Sequence, residues 1–249
     1  MRQGTQIYWP PFSKTIKNIV IITVICFLAQ QILPLFLNFP FTAILGLSPI
    51  LFIEKFFIWQ IVTYMFLHGG ILHLLFNMFA FWMFGGELEK YWGAKRFIVF
   101  YFLAGAFSGL LSVLTYYSPQ TSIIGASGGI YALLVAYGFM FPNRHLLFFG
   151  IFPMKTKYFI MLICAITFFV TLSSVQNVAH FAHIGGIIFG FLFMKFGQWK
   201  NLLTSFGKIR KQVKRDKLKS RFKVITDEMT NTEIDKFWKN HSDDHNSWN

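Results

Sequence analysis

Six apolar runs of about 20 residues recur between residues 16 and 197, and then the pattern stops. About 20 such residues are needed for a helix to cross a hydrocarbon core of roughly 30 Å, where every backbone polar group must be satisfied within the spanning structure. Composition points the same way. Of the 249 residues, 55% are hydrophobic and 20% aromatic, including 33 Phe, which is far from soluble-domain usage. The expected fold is an all-α polytopic membrane protein with spans at about 16–37, 67–87, 96–116, 121–141, 157–174 and 178–197. Residues 1–15 then form an N-terminal segment, 16–199 the six-helix membrane domain and 200–249 a tail.

The stretch "FTAILGLSPILFIEKFFIWQIVTYMF" at 41–66 is apolar enough for a seventh span, but Pro49, Glu54 and Lys55 interrupt it. Charge placement decides the count, because Lys and Arg mark cytoplasmic loops. Arg2, Lys14 and Lys17 precede the first span, and 200–223 carries ten Lys/Arg against Asp216 alone. Both termini therefore want the cytoplasmic side, and the number of spans is even. With six, the connections holding Lys90, Lys95 and Arg96 and holding Arg144, Lys155 and Lys157 are also inside, while 117–120 and 175–177 carry no charge. Segment 41–66 becomes an outer loop in or on the interface. The first run is read as a span and not a secretory signal peptide, since no clear A-x-A site follows it. No organelle transit peptide is evident, so a bacterial inner membrane is expected.

The net charge of +13 is concentrated just after the last span, where basic residues contact anionic lipid; it is not a nucleic-acid signature. Residues 224–249 reverse the sign, with six acids against Lys236 and Lys239. Cys26 and Cys164 fall inside apolar runs, where they behave as small hydrophobes.

Polar side chains within a bilayer are costly and mark function. They occur in "LHGGILHLLFN" (His68, His73, Asn77), in "GASGG" (Ser127), at Gln30 and Gln31, and in "VAHFAHIGG" (His180, His183). The two glutamines suit hydrogen bonds between helices. In the six-span topology the three other clusters lie near the outer ends of spans two, four and six. At 1.5 Å per residue His73, Ser127 and His183 then share a depth of roughly 7–10 Å. His73 and Asn77 are four apart and so are Ser127 and Tyr131, so each pair shares a helix face. Gly125 with Gly129, and Gly186 with Gly190, form G-x-x-x-G pairs that bring helices close.

The acids exclude several chemistries. No Asp precedes Asp216, and the only earlier acids are Glu54, Glu87 and Glu89, so paired aspartates and a buried Ser-His-Asp triad are both ruled out. No H-E-x-x-H occurs and no carboxylate lies mid-span, so no metal or other cofactor is expected. What remains is serine as nucleophile with a histidine base, either His180 or His183. "GASGG" fits the G-x-S-x-G elbow of soluble hydrolases, but that motif needs a preceding strand, and here apolar helix is expected on both sides. A serine near a helix N-terminus still has free N–H groups beside it for an oxyanion.

The order "HGGILHLLFNM", "GGELEKYWGAKRF", "GASGGIYALL", "AHIGGIIFG" over about residues 60–195 resembles the rhomboid intramembrane serine proteases. The resemblance implies Ser127, in G-x-S-G with Gly125 and Gly128, as nucleophile and His183 as general base. It implies an oxyanion hole from His73, Asn77 and the Ser127 backbone N–H, with His68 as the first histidine of the same segment. It also implies Tyr131 beneath the catalytic histidine, and Gly186 and Gly190 packing span six on span four. His180 receives no role. The implied fold is a six-helix bundle whose cavity opens outward, and the implied partners are transmembrane protein substrates in a lipid bilayer. Glu87 and Glu89 are expected to anchor the second-to-third loop through a nearby Lys or Arg. A histidine base must be neutral to accept a proton, so activity is expected to fall on acidification.

Overall fold

The computed structural model describes residues 10–37, 40–115, 122–148, 152–173 and 178–196, together with 233 and 236. The chain divides into two compact units, Met1–Phe196 and Gly197–Asn249. Residues 233 and 236 of the second unit are helical. The expectations for the rest of 200–249 and for connections 117–120 and 175–177 lie outside the described residues.

The first unit is mostly helical. Among the described residues three helices are long and apolar enough to cross a membrane, Lys14–Leu37, Ile71–Trp92 and Ala94–Thr115; Ser127–Met140, Thr156–Val170 and Phe181–Phe196 are shorter and also apolar. Helix α1 (Lys14–Leu37) buries Ile16, Ile19, Thr23 and Phe27, a stripe at helical spacing. Most of its other side chains are at least partly exposed, as suits a helix facing lipid.

Segment 41–66 folds into short helices, α2 (Phe41–Leu45), α3 (Pro49–Glu54) and α4 (Gln60–Thr63), followed by a 3₁₀ turn at Tyr64–Phe66. Its cohesion comes from side chains on backbone groups. Gln60 is fully buried, accepts from the Ser48 N–H at 3.0 Å and donates to the Ala43 carbonyl at 2.9 Å. Thr63 donates to the Leu45 carbonyl at 2.7 Å and Trp59 Nε1 to the Ile44 carbonyl at 2.9 Å. These bonds satisfy carbonyls that short helices leave without partners.

Helix α5 (Ile71–Ala80) continues through a π-helical turn at Phe81–Gly85 into α6 (Gly86–Trp92). The second span thus starts and ends later than expected, and residues 67–70 precede it as non-helical chain. Helix α7 (Ala94–Thr115) presents Ala104, Gly105, Ser108, Gly109 and Ser112, all buried, and this small-residue face admits its neighbours closely. A Cβ at Gly109 would fall 2.8 Å from Leu47 Cδ2, which is how 41–66 seats against α7. Helix α8 (Ser127–Met140) is buried on nearly every side and is the centre of the bundle.

The all-α expectation needs one correction. Strands β1 (His145–Phe148) and β2 (Phe152–Lys155) form an antiparallel hairpin in register His145↔Lys155 to Phe148↔Phe152. "HLLF" and "FPMK" are short and flanked by helices, and pairing satisfies backbone groups that an apolar connection would otherwise strand. Helices α9 (Thr156–Ser173) and α10 (Val178–Phe196) complete the unit, with α10 packed on both α7 and α8.

Glu87 and Glu89 anchor other partners than the second-to-third loop. Arg144, between α8 and β1, donates to Glu87 Oε2 at 2.8 Å and to the Tyr137 hydroxyl at 3.0 Å. Ser13, just before α1, donates to Glu89 Oε2. The two acids therefore tie α6 to the hairpin connection and to the start of α1.

Candidate active site

Ser127 is the first residue of α8, not one six residues inside a helix. The cause lies in the four residues before it. Ile123 forms a two-way bridge with Leu47, N–H to carbonyl at 2.9 and 3.0 Å, so the chain there is extended. The Gly125 N–H then donates to the Tyr64 carbonyl at 2.9 Å, and Gly125 turns with φ +122°, a value that side chains rarely tolerate. Extended chain, sharp turn and helix start therefore do occur locally, contrary to the helix expected before Ser127. It follows that Gly125 and Gly129 do not form a helix-packing pair. Gly125 is in the turn, and a Cβ at Gly129 would meet Tyr101 Cε2 of α7 at 2.8 Å.

Nor do the polar residues occupy matched helical positions. His73 is the third residue of α5, Ser127 the first of α8 and His183 the sixth of α10. They converge because α8 and α10 touch through their backbones. A Cβ at Gly186 would overlap the Gly128 carbonyl oxygen, and one at Gly190 would lie 2.9 Å from the Ala132 carbonyl oxygen. A Cβ at Gly128 would lie 2.6 Å from Ser108 Cβ, so α7 closes on the same point.

At this junction Ser127 Oγ lies 2.7 Å from His183 Nε2. When the hydroxyl is the donor, Nε2 is the bare nitrogen of a neutral imidazole. Tyr131, one turn along α8, stacks on the His183 ring with centroids 4.6 Å apart and planes at 27°. Its hydroxyl accepts from Thr167 Oγ1 of α9 at 2.8 Å.

His73 approaches from the other side. The Gly69 N–H donates to its Nδ1 at 3.3 Å, which puts the proton of the neutral ring on Nε2. That nitrogen would lie 3.0 Å from a Cβ built at Gly125, and Ser127 Oγ would lie 3.9 Å from the same Cβ. The missing Gly125 side chain thus leaves open the space between a hydroxyl and an N–H donor. Asn77 is buried and donates from Nδ2 to the His73 carbonyl at 2.9 Å, holding the turn that carries His73. His68 is fully buried with its ring in edge contact with His73 at 5.0 Å. Its backbone N–H donates to Gln30 Oε1 at 3.1 Å, which ties α1 to this loop. The side chain of His180 lies outside the described residues.

Two contributors have no sequence signal. Tyr64 holds Gly125 through its carbonyl while its hydroxyl donates to the Gly105 carbonyl at 2.7 Å, so one buried residue links α7 to the turn before Ser127. Thr167 reaches Tyr131 from a separate helix. Among the described residues no group of three or more His, Cys, Asp and Glu side chains is placed to hold a metal ion.

Residues 55–199, more than half of the chain, match the Rhomboid domain. The chain belongs to the rhomboid family. Together with its apolar helices, membership makes this rhomboid an integral membrane protein. It is 33% identical over 133 residues to Rhomboid protease GluP of Bacillus subtilis, covering 53% of this chain and 25% of that protein. Rhomboid protease GlpG of Haemophilus influenzae is 30% identical over 140 residues, covering 54% of this chain and 67% of GlpG. RHOMBOID-like protein 6, mitochondrial, of Arabidopsis thaliana is 32% identical over 133 residues, 53% of this chain and 41% of that protein. The matched segment thus spans from a quarter to two thirds of these relatives' lengths.

Proposed function

We propose that this rhomboid is an intramembrane serine endopeptidase that cleaves transmembrane segments of other membrane proteins near their outer ends. The observation that carries the reading is the 2.7 Å contact between Ser127 Oγ and His183 Nε2. Two polar groups in that geometry, in a helical membrane protein, are what nucleophilic catalysis without a carboxylate requires. The relatives named as proteases support it.

In this reading Ser127 Oγ attacks the scissile carbonyl carbon and its proton passes to His183 Nε2. Negative charge develops on the carbonyl oxygen, in the space left open beside Gly125. Donors for it are His73 Nε2–H and the free N–H of Ser127 at the α8 N-terminus, with Asn77 turning from the His73 carbonyl when the oxyanion forms. Collapse breaks the C–N bond, and the His183 proton goes to the leaving amine. Water, deprotonated by His183, then hydrolyses the acyl-enzyme. A peptide bond held in a helix cannot reach Ser127, so the substrate unwinds at the site.

Six spans place both termini on the cytoplasmic side and open the Ser127 cavity outward, with 41–66 as an interfacial outer loop. A bacterial inner membrane fits this arrangement.

Reconstitution in liposomes with a single-span substrate tests the proposal. Cleavage by wild type that disappears in Ser127→Ala and in His183→Ala is the expected result. Wild type that binds the substrate helix without cutting it would overturn the reading in favour of a rhomboid-like binding factor or chaperone.

A further inference from the structure

Buried hydroxyls in apolar helices ordinarily bond back to a carbonyl one turn earlier. Among the described residues three do so: Thr23 donates to the Ile19 carbonyl at 2.8 Å, Ser108 to Ala104 at 2.7 Å and Ser112 to Ser108 at 3.1 Å. Thr167 departs from this habit: its Oγ1 donates across to the Tyr131 hydroxyl on α8 at 2.8 Å.

The departure falls at a telling place. Tyr131 is the residue whose ring stacks on His183, 4.6 Å between centroids. A stacked ring held at one edge alone can slide or tilt, and tethering its far end at the hydroxyl fixes the plane. The imidazole lying on that plane inherits the orientation, and Nε2 must point at Ser127 Oγ for the proton to transfer.

Helix α9 is built to deliver this tether. Its buried residues Thr156, Ile160 and Thr167 are spaced by four and seven, which puts them on one face. Thr156 Oγ1 donates to the Arg144 carbonyl at 2.9 Å, and Ile160 fills the gap at Gly138, where a Cβ would meet Ile160 Cδ1 at 2.7 Å. The first two turns are thus fastened by a hydrogen bond and by packing. Met161, Ile166, Phe168 and Phe169 are exposed on the remaining faces. Thr167 fastens the second half of α9 to α8.

We infer that Thr167 is a positioning residue, which acts through the Tyr131 hydroxyl to set the orientation of the His183 imidazole toward Ser127. The inference rests on the proposed protease reading and deepens it. The path runs from the Thr167 hydroxyl to the Tyr131 hydroxyl and from the Tyr131 ring to the His183 imidazole stacked on it.

The test is a double-mutant cycle on the reconstituted full chain. Thr167→Val, which keeps shape and removes the hydroxyl, is expected to lower kcat by roughly fivefold to tenfold, with KM changed less than about twofold. Tyr131→Phe should give the same loss, the double variant no further loss, and Thr167→Ser near-wild-type turnover. Losses that multiply in the double variant, or a Thr167→Val enzyme indistinguishable from wild type, would overturn the inference while leaving the protease reading intact. If wild type fails to cleave, or Ser127→Ala still cleaves, the protease reading fails instead. The ¹⁵N resonances of the His183 imidazole in micelles, assigned by their loss in His183→Asn, then decide the inference independently. A shift in Thr167→Val restored in Thr167→Ser supports it, and unmoved resonances overturn it.

Discussion

Ser127 Oγ and His183 Nε2 lie 2.7 Å apart although 56 residues separate them, and the glycine-to-carbonyl contact of α10 on α8 makes this possible. The two helices meet at Gly186 and Gly128 with no side chain between them. Whatever widens that seam separates nucleophile from base.

Gly186→Ala and Gly190→Ala should therefore act in graded fashion. The new methyl at 186 overlaps the Gly128 carbonyl oxygen, whereas at 190 it lies 2.9 Å from the Ala132 carbonyl oxygen, one turn further from the site. Overpacking of this kind costs about 1–3 kcal/mol. Gly186→Ala is expected to abolish cleavage and lower the Tm in detergent, and Gly190→Ala to retain part of both. Substrate cleavage beside thermal unfolding checks the order; equal effects would mean that the seam does not set the distance.

Gly125→Ala should disable the site with less damage to the fold. The residue has φ +122°, and its new Cβ would sit 2.9 Å from His73 Cε1. Backbone strain accounts for about 1–3 kcal/mol. The methyl also fills the space assigned to the oxyanion, where losing one donor lowers turnover by about a hundredfold or more. The expected outcome is a folded protein with kcat reduced at least about a hundredfold. Cleavage near the wild-type rate would put the oxyanion elsewhere.

Much of the architecture was legible in the sequence, and its gaps have physical causes. Apolar length located the longer helices, because crossing lipid leaves few alternatives to α-helix, but not the short ones within 41–66. The start of α8 falls later than expected since "TSIIG" is as apolar as a helix, and the Leu47 bridge at Ile123 and the Tyr64 carbonyl at Gly125 hold those residues out of helical form. Polar residues at unexpected depth pointed to Ser127, His73 and the His180–His183 pair, because burying such groups demands a reason. Glu87 does pair with an arginine as expected, but a distant one, and Glu89 accepts from a serine, because such contacts form across space. Arg144 and Ser13 reach them from segments far along the chain. Tyr64 and Thr167 are ordinary residues in apolar runs, and only their cross-helix bonds distinguish them.

The Glu87–Arg144 pair should support stability in a way that pH does not modulate from the arginine side. Burial works against the Arg144 charge, but the hydrogen bonds to Glu87 and Tyr137 outweigh it and hold the guanidinium above its ordinary range. A raised value means that its contribution is fully present below the unfolded-state value, hence throughout the working pH range. Removing the arginine leaves the Glu87 carboxylate buried, with 3% of its side chain exposed. Arg144→Met is expected to cost about 1–3 kcal/mol, at the low end of buried-pair losses because Arg144 is 36% exposed. Adding Glu87→Gln should recover part of that loss, since a neutral amide tolerates burial better than an unpaired charge. Thermal unfolding of the two variants measures the difference; no recovery would show that the pair acts through packing alone.

Acidification should silence cleavage through His183. Ser127 can give its proton only to a bare Nε2, and a protonated imidazole has no lone pair to receive it. The described carboxylates of the first unit, Glu54, Glu87 and Glu89, belong to the 41–66 segment and to α6, not to the Ser127 junction, so none of these three substitutes as base. On the acid limb kcat should fall roughly tenfold per pH unit, the signature of one essential proton. His73 demands a control, because its protonation would add a donor on Nδ1 and break the bond from the Gly69 N–H at 3.3 Å. His73→Gln removes that titration while keeping an amide in place. The variant is expected to be slower at every pH yet to keep the wild-type acid limb. A limb that vanishes with His73 would transfer the titration to the oxyanion side, and a wild-type rate unchanged down to about pH 4 would remove His183 from its role as base.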